Sequence, residues 1–131
     1  STTVNNMVGF PDETRALAFD SIELNRKLRV NKMGCVIFTP FCGTNLRKLA
    51  VERGYIDDAL LSNGVMEDSL LNMPQFSRKQ INAIMQAFLL YSRLDKARWS
   101  DIEKVEKNFG SSKVEKLHEE LKQEYRDLYF A

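Results

Sequence analysis

The sequence has few cysteines, one histidine and almost no net charge. Among its 131 residues, 19 Lys and Arg stand against 18 Asp and Glu, which leaves a formal charge of +1. This balance gives no basic footprint of the kind with which proteins bind the phosphates of nucleic acids, since such binding needs many clustered cations. The two cysteines, Cys35 and Cys42, are too few for a disulfide framework and match no common zinc-binding pair. With His118 as the only histidine, we expect no metal site on this chain.

Long apolar runs are also missing. No uninterrupted run approaches the ~20 apolar residues that cross a bilayer, and Ser1 to Asn6 lack the basic-then-apolar order of a signal peptide. A chain of this length buries enough surface to have its own core without disulfides or a structural metal. We therefore expect a cytoplasmic protein that contacts neither a membrane nor a nucleic acid.

Strand and helix patterns alternate in residues 1–54. They predict a strand at 2–9, a helix at 13–28, a second strand at 33–39 and a helix at 46–53. The second strand is nearly all apolar, which is typical of a strand covered on both faces in a parallel sheet. We therefore expect a βαβα unit with parallel strands, and the predicted fold class is α/β.

The first helix has a clear amphipathic pattern. Pro11 and Asp12 are residue types that suit the start of a helix. The predicted apolar face consists of three leucines with two other apolar residues beside it: Leu17, Leu24 and Leu28, next to Ala18 and Ile22. A helix of this kind packs its apolar face on the rest of the protein.

The second half of the sequence predicts a loop and then helices. Residues 55–74 are poorly periodic, which is typical of a long loop. Beyond them, three serines open predicted capping boxes: Ser77, Ser100 and Ser112. The chain thus divides into a strand-helix segment at 1–54, the loop at 55–74 and a helical C-terminal extension at 75–131.

Two loops follow the predicted strands, at residues 9–14 and 39–44. In parallel α/β proteins, ligands bind beyond the carboxyl ends of the strands, where such loops gather. Both loops combine Gly and Pro with small polar residues, so that backbone can approach a ligand and a helix N-terminus can face it. Spacing alone favours the simpler interpretation, in which both loops are only tight turns.

The residues of these loops resemble a known pair of motifs. Residues 7–14 (MVGFPDET) are similar to hydrophobic-G-F/L-P-G-E-T, and residues 36–44 (VIFTPFCGT) are similar to F-x-x-Y/T-P-x-P-G-T. These motifs belong to the last two strand-helix units of radical S-adenosylmethionine (radical SAM) enzyme barrels. Asp12 stands where that family usually has glycine, and Cys42 stands where proline is common.

The likeness extends into the second half of the chain. Residues 72–77 and 91–99 resemble the C-terminal extension of the subset of these enzymes that carries a cobalamin-binding domain. In all, the resemblance covers Thr2 to Trp99. It implies a partial parallel (βα) barrel of about two strand-helix units, followed by a helical extension. The implied cofactors of the complete enzyme are S-adenosylmethionine, a 4Fe-4S cluster and cobalamin held by another domain.

The resemblance also implies which residues face S-adenosylmethionine. The loop after the first strand approaches the adenosyl group, and the end of the second strand approaches the adenine. Five residues are placed at the ligand in this way: Val8, Gly9, Glu13, Phe38 and Thr39. No catalytic residue is implied on this chain.

The Cys-x3-Cys-x2-Cys loop that holds the family's cluster is absent from the sequence. Our leading interpretation is therefore the C-terminal part of a radical SAM enzyme, inactive alone, whose partner is the rest of the barrel. The alternative is a non-catalytic binding or assembly module. Such a module would pair its exposed sheet edge or its helices with a partner chain or with a second copy in a homo-oligomer.

Overall fold

A computed structural model describes residues 1–60 and 68–129 of the chain. The elements are β1 Thr3–Val8, α1 Arg15–Lys27, β2 Lys32–Ile37, α2 Asn45–Glu52, α3 Arg78–Arg93, α4 Trp99–Lys107 and α5 Glu115–Tyr129. The predicted α/β class is confirmed, since the described residues form five α-helices and one two-stranded parallel sheet. The middle of the predicted loop, residues 61–67, lies outside the described residues.

The two strands form a sheet with one covered face and one open face. β1 and β2 pair in parallel over their whole length, up to Val8 opposite Ile37. α1 connects the strands, and α1 and α3 cover one face of the sheet. On the other face, Met7 and Val36 are 42% and 41% exposed. The second strand was expected to be covered on both faces, but the described part of the chain covers only one.

α1 begins later than the sequence predicts. Its N-cap is Thr14, whose side chain accepts a hydrogen bond from the Leu17 amide. Asp12 has a φ of 66°, which is the left-handed region and is incompatible with a right-handed helix. The prediction that Pro11 and Asp12 form the start of the helix is therefore wrong.

α1 also buries a different face from the predicted one. Three of its residues are buried: Ala18, Ile22 and Asn25. Leu17 and Leu24, which the pattern placed on the packed face, are 51% and 59% exposed. The side-chain amides of Asn25 and Asn6 exchange two hydrogen bonds, at 2.7 and 3.1 Å, and this polar pair fixes which side of α1 faces the sheet.

The first helix of the C-terminal extension begins at the predicted cap, but the next two caps differ from the predicted ones. Ser77 opens α3 with a complete capping box. Ser100 lies within the first turn of α4, because α4 continues directly from a 3-10 turn whose N-cap is Asp95. Ser111 caps the next 3-10 turn in place of the predicted Ser112. The last two predicted capping boxes are therefore wrong.

One hydrophobic core passes through both halves of the described chain, with α3 at its centre. α3 packs against both strands and against α1, α4 and α5. The rings of Phe19, Tyr91 and Trp99 meet edge to face, with centroids 4.8 to 5.7 Å apart. None of the helices in the described ranges combines the length and apolar character that crossing a membrane requires.

An ion pair with a buried carboxylate connects α1 to α4. Arg15 donates two hydrogen bonds to the Glu106 carboxylate, at 2.7 and 2.8 Å, and the Tyr91 hydroxyl of α3 donates a third at 2.7 Å. The Glu106 side chain is 5% exposed and that of Arg15 is 36% exposed. Arg26 of α1 also donates to the backbone carbonyls of Tyr91 and Leu94. These charge-assisted hydrogen bonds join the strand-helix segment to the helical extension.

Candidate functional site

The two loops that carry the family resemblance lie next to each other at one end of the sheet. The Phe38 amide donates a hydrogen bond of 2.8 Å to the Val8 carbonyl, which continues the parallel ladder past the strand ends. The ring centroids of Phe10 and Phe38 are 5.2 Å apart. Parallel pairing therefore brings Val8, Gly9 and Phe38 together at the carboxyl edge of the sheet.

Most of the residues expected to face the ligand are buried in this structure. Val8 is 1% exposed, and Phe38 and Thr39 are also buried. Because side chains alternate along a strand, the neighbouring Met7 and Val36 point to the open face instead. From that face, a ligand would meet these two side chains and the loop backbone. The sequence did not single out Met7 and Val36, because β2 is apolar at almost every position and shows no alternation that would mark its open face.

Gly9 occupies a tight place between β1 and α3. It has a φ of 88°, and a Cβ built on it would lie 2.8 Å from Cγ2 of Ile81. A positive φ favours glycine, and the close approach of α3 leaves no room for a side chain. The backbone at the start of this loop is therefore held in one position.

The Glu13 carboxylate closes the loop that begins at Gly9. It accepts a hydrogen bond of 2.7 Å from the Gly9 amide, and the Glu13 amide donates to the Phe10 carbonyl at 3.0 Å. Burial raises the pKa of Glu13, while the hydrogen bonds from the Gly9 and Phe10 amides act in the opposite direction. Glu13 thus organises its own loop, and its contact with S-adenosylmethionine stays a prediction.

Variants of Glu13 are expected to separate the effect of the hydrogen bond that it accepts from Gly9 from the effect of its negative charge. Glu13→Ala leaves the Gly9 amide without its acceptor and should lower the free energy of unfolding by about 1–2 kcal/mol. Glu13→Gln keeps an oxygen acceptor and should cost less. Because the folded chain holds the Glu13 proton to a higher pH than the unfolded chain does, this group makes the protein less stable as pH rises above the ordinary range of a glutamate.

Urea unfolding at about pH 4 and pH 7 measures both effects. The stability of the wild-type protein should fall relative to that of Glu13→Gln between these pH values. An Ala variant as stable as the Gln variant would show that the Gly9 amide does not depend on this acceptor.

A polar cluster supports the same loop from the side of α2. Asp12 accepts a hydrogen bond of 2.5 Å from the Tyr55 hydroxyl and forms an ion pair of 3.3 Å with Arg53. The bond to Asp12 is the main reason that the pKa of Tyr55 is raised. Gln75 donates to the Glu13 carbonyl at 3.2 Å. The sequence interpretation missed this cluster, because its members lie 43 and 62 positions apart.

The loop after β2 is held by a buried arginine. Arg47 of α2 donates to three backbone carbonyls, those of Pro40, Asp58 and Leu60, over 2.5 to 3.0 Å. These carbonyls allow the guanidinium group to be buried. No signal in the sequence marks this contact, because backbone acceptors are the same for every residue type.

The two cysteines do not form a metal site with other residues of the described chain. Cys35 packs against the core, and burial, with the Glu13 charge as a second cause, raises its pKa to about 12. Its thiol therefore stays protonated near neutral pH. Cys42 is exposed in the loop after β2. Within residues 1–60 and 68–129, no three His, Cys, Asp or Glu side chains lie close enough together to hold a metal ion.

The family resemblance depends on the two loop motifs and on the stretches at 72–77 and 91–99. No protein-family model, no curated protein and no solved structure matches the chain, so no relative supports this resemblance.

Proposed function

We propose that this chain is the C-terminal part of a radical SAM iron-sulfur enzyme, in which its two strand-end loops line the site for S-adenosylmethionine and substrate. The observation that carries the proposal is the adjacency of the loops at 9–14 and 39–44, beyond the carboxyl ends of two parallel strands. In parallel α/β barrels this edge binds the ligand. The proposal includes a partial (βα) barrel with a helical extension, located in the cytoplasm.

The conformation of Asp12 supports the proposal. The resembled motif has glycine at this position, and Asp12 has a φ of 66°. Positive φ values favour glycine, and Asp is among the other residues that tolerate them best. The substitution therefore keeps a backbone conformation that suits the motif glycine, while Arg53 and Tyr55 bind the added carboxylate.

The cofactors implied by the proposal fit this chain to different degrees. A 4Fe-4S cluster needs cysteine thiolates, whereas this chain has one thiol packed in the core and one in an exposed loop. The cluster ligands must therefore come from another part of the enzyme. The apolar side chains of Met7 and Val36, which lie opposite each other on the open face of the sheet, suit a flat ring such as adenine. In the complete enzyme the cluster binds and cleaves S-adenosylmethionine, and this chain would bind and orient it.

The isolated chain is expected to be inactive. Reconstituted anaerobically with iron and sulfide, it should stay colourless, retain no stoichiometric iron and leave S-adenosylmethionine intact, because it lacks the cluster ligands. The full-length product of its gene, treated in the same way, should take up a cluster and cleave S-adenosylmethionine. Iron analysis, visible absorbance and chromatography of the nucleoside products measure these outcomes.

A matched pair of variants in the full-length protein tests the role of this chain. Val36→Asp places a charge on the open face and should raise the KM for S-adenosylmethionine about tenfold without loss of iron. Leu128→Asp, on the exposed side of α5, should leave the KM unchanged. A full-length protein that has no three-cysteine loop, or that does not cleave S-adenosylmethionine, would contradict the proposal.

One observation favours a second candidate, a non-catalytic assembly module. Met7 and Val36 on the open face and Leu17 and Leu24 on α1 expose apolar surface, which often marks a contact with another chain. Light scattering distinguishes the two candidates. A stable dimer of the isolated chain would favour the assembly module, and a strict monomer would argue against pairing of its own copies.

A further inference from the structure

Positive charge is concentrated where α1 passes into β2. Between Glu23 and Glu52 the sequence has six basic residues and no acidic one, and four of the six fall within residues 26–32. The whole chain carries a formal charge of only +1, so this junction departs from the average. Arg29 and Lys32 are exposed, and neither forms an ion pair with any residue in the described ranges. Both side chains can therefore bind a negatively charged ligand.

A cavity of about 300 Å³ lies at this junction, between the start of β2 and the end of α5. Lys32 and Arg93 line it together with the rings of Tyr125 and Tyr129. Arg93, the last residue of α3, has no acidic ion-pair partner within residues 1–60 and 68–129. The cavity therefore combines two cations that lack counter-charges with two aromatic rings.

Arg93 is fixed by contacts that leave most of its donors unused. Its Nη2 group donates to the Val30 carbonyl at 3.1 Å, and its guanidinium group lies over the Tyr129 ring, 5.1 Å from the centroid. The Tyr129 hydroxyl donates in turn to the Arg93 carbonyl at 3.3 Å. A guanidinium group has five N–H donors in one plane, and stacking on a ring uses none of them. The remaining N–H groups of Arg93 can therefore bind phosphate oxygens in a fixed geometry.

The two tyrosines of α5 provide a surface for a planar ring. Their ring centroids are 5.2 Å apart and the rings are tilted by 38°. Tyr125 is half-buried, whereas Tyr129 is 41% exposed. Nucleobases stack on tyrosine rings of this kind, and every base has a flat face that suits them. The aromatic part of the cavity therefore suits the base of a nucleotide, next to cations that suit its phosphate.

This cavity lies at the opposite end of the sheet from the two strand-end loops. Lys32 begins β2 and Ile37 ends it, and the five residue steps between them span about 17 Å. The loops at 9–14 and 39–44 follow the carboxyl ends of the strands, whereas Lys32 lies at the amino end of β2. A ligand in the cavity is therefore separate from the S-adenosylmethionine of the proposed function.

We propose that this cavity binds a nucleoside monophosphate, whose base stacks against the tyrosines and whose phosphate accepts hydrogen bonds from Lys32 and Arg93. One phosphate group needs only a few cations, far fewer than a nucleic-acid backbone does. The volume of about 300 Å³ is at the lower end of the range for ligand pockets, which suits a single nucleotide. Arg29, three positions before Lys32, raises the positive potential near the phosphate. This inference does not depend on the proposed function.

Isothermal titration calorimetry of the chain with AMP tests the site. AMP should bind one to a chain with a Kd of roughly 0.1 mM at low salt. Adenosine and inorganic phosphate each make only part of the contacts and should bind at least about tenfold more weakly. Added salt should weaken the binding of AMP, because the cations of the cavity are partly exposed. In NMR spectra of the unaltered chain, AMP should shift the amide signals of Lys32 and Met33, which line the cavity.

Variants at exposed positions separate the two halves of the site. Lys32→Gln removes a charge-assisted hydrogen bond to the phosphate and should weaken AMP binding about tenfold. Tyr129→Leu removes a stacking surface and should also weaken it about tenfold, with no effect on inorganic phosphate. Lys116→Gln is the matched charge control, because Lys116 is exposed on α5 nine positions before Tyr125 and so lies on the opposite face of the helix. It should leave the Kd unchanged.

Several outcomes would overturn the inference. One is no binding of AMP at about 1 mM. Another is inorganic phosphate that binds as tightly as AMP, because the base would then contribute nothing. Equal effects of Lys32→Gln and Lys116→Gln, or AMP-induced shifts confined to the loops at 9–14 and 39–44, would also exclude this cavity as the site. Binding of AMP here by a chain whose full-length protein takes up no cluster would contradict only the proposed function.

Discussion

Replacing Arg15 with methionine is expected to lower the free energy of unfolding by about 3 kcal/mol, which corresponds to a Tm about 10 °C lower in a chain of this size. Methionine keeps apolar contact with the Phe19 ring, over which the Arg15 guanidinium now lies at 4.4 Å. It leaves the buried Glu106 carboxylate with the Tyr91 hydroxyl as its remaining donor. A buried charge without its counter-charge is costly, and thermal and urea unfolding measure the loss.

Variants of Glu106 and Tyr91, the two residues that bond with Arg15 or with each other in this ion-pair network, are controls. Glu106→Gln should cost about 1–2 kcal/mol, because the partly exposed Arg15 can turn into water and the glutamine oxygen still accepts from Tyr91. Tyr91→Phe should cost about 1 kcal/mol, since the Arg15 pair remains. If Arg15→Met were no more harmful than Glu106→Gln, the unequal burial of the two partners would not determine the stability of this pair.

Gly9→Ala is expected to destabilise the protein by about 3 kcal/mol. Part of the loss is the left-handed φ of 88°, which costs a residue with a Cβ about 1–2 kcal/mol. The rest is overpacking, because the new Cβ would lie 2.8 Å from Cγ2 of Ile81 in the middle of the core. Urea unfolding measures the total, and the loop that carries Glu13 should lose protection from hydrogen exchange.

Gly110→Ala is the matched control for backbone strain. Gly110 has a nearly equal φ of 84°, and nothing lies within 4 Å of its added Cβ. This variant should therefore cost only about 1 kcal/mol. Combining Gly9→Ala with Ile81→Ala should cost less than the sum of the single changes, because the second change removes the atom that the first one meets. Equal losses at Gly9 and Gly110 would contradict the close packing of α3 on the loop.

The sequence was sufficient to predict the elements whose signals are local. Glycine and proline mark the ends of both strands, and the apolar run at 33–39 overlaps β2, which pairs in parallel with β1 as expected. Ser77 was recognised as a cap because Gln80, which donates to the Ser77 hydroxyl and accepts from the Ser77 amide, lies within one turn of it. The adjacency of the two loops was expected from parallel pairing, and the hydrogen bond from the Phe38 amide to the Val8 carbonyl agrees with it.

Most of the remaining features depend on partners that are distant in the chain. The orientation of α1 is set by Asn6 and Asn25, and a leucine pattern carries no information about such a pair. Asp12 was predicted in a helix because its residue type suits one, whereas Arg53 and Tyr55 hold it in a left-handed turn. The burial of Glu106 could not be predicted either, since surface helices usually place glutamate in solvent.

The ion pair between Arg15 and Glu106 also affects how cooperatively the protein unfolds. These residues are 91 positions apart, and together with Tyr91 they link α1 of the strand-helix segment to α3 and α4 of the helical extension. Opening α1 would leave charge buried on α4, so neither helix can unfold locally at low cost. We expect α1, α3 and α4 to exchange their most protected amides with one common free energy. A cut near residue 75 should accordingly yield two fragments that do not fold alone.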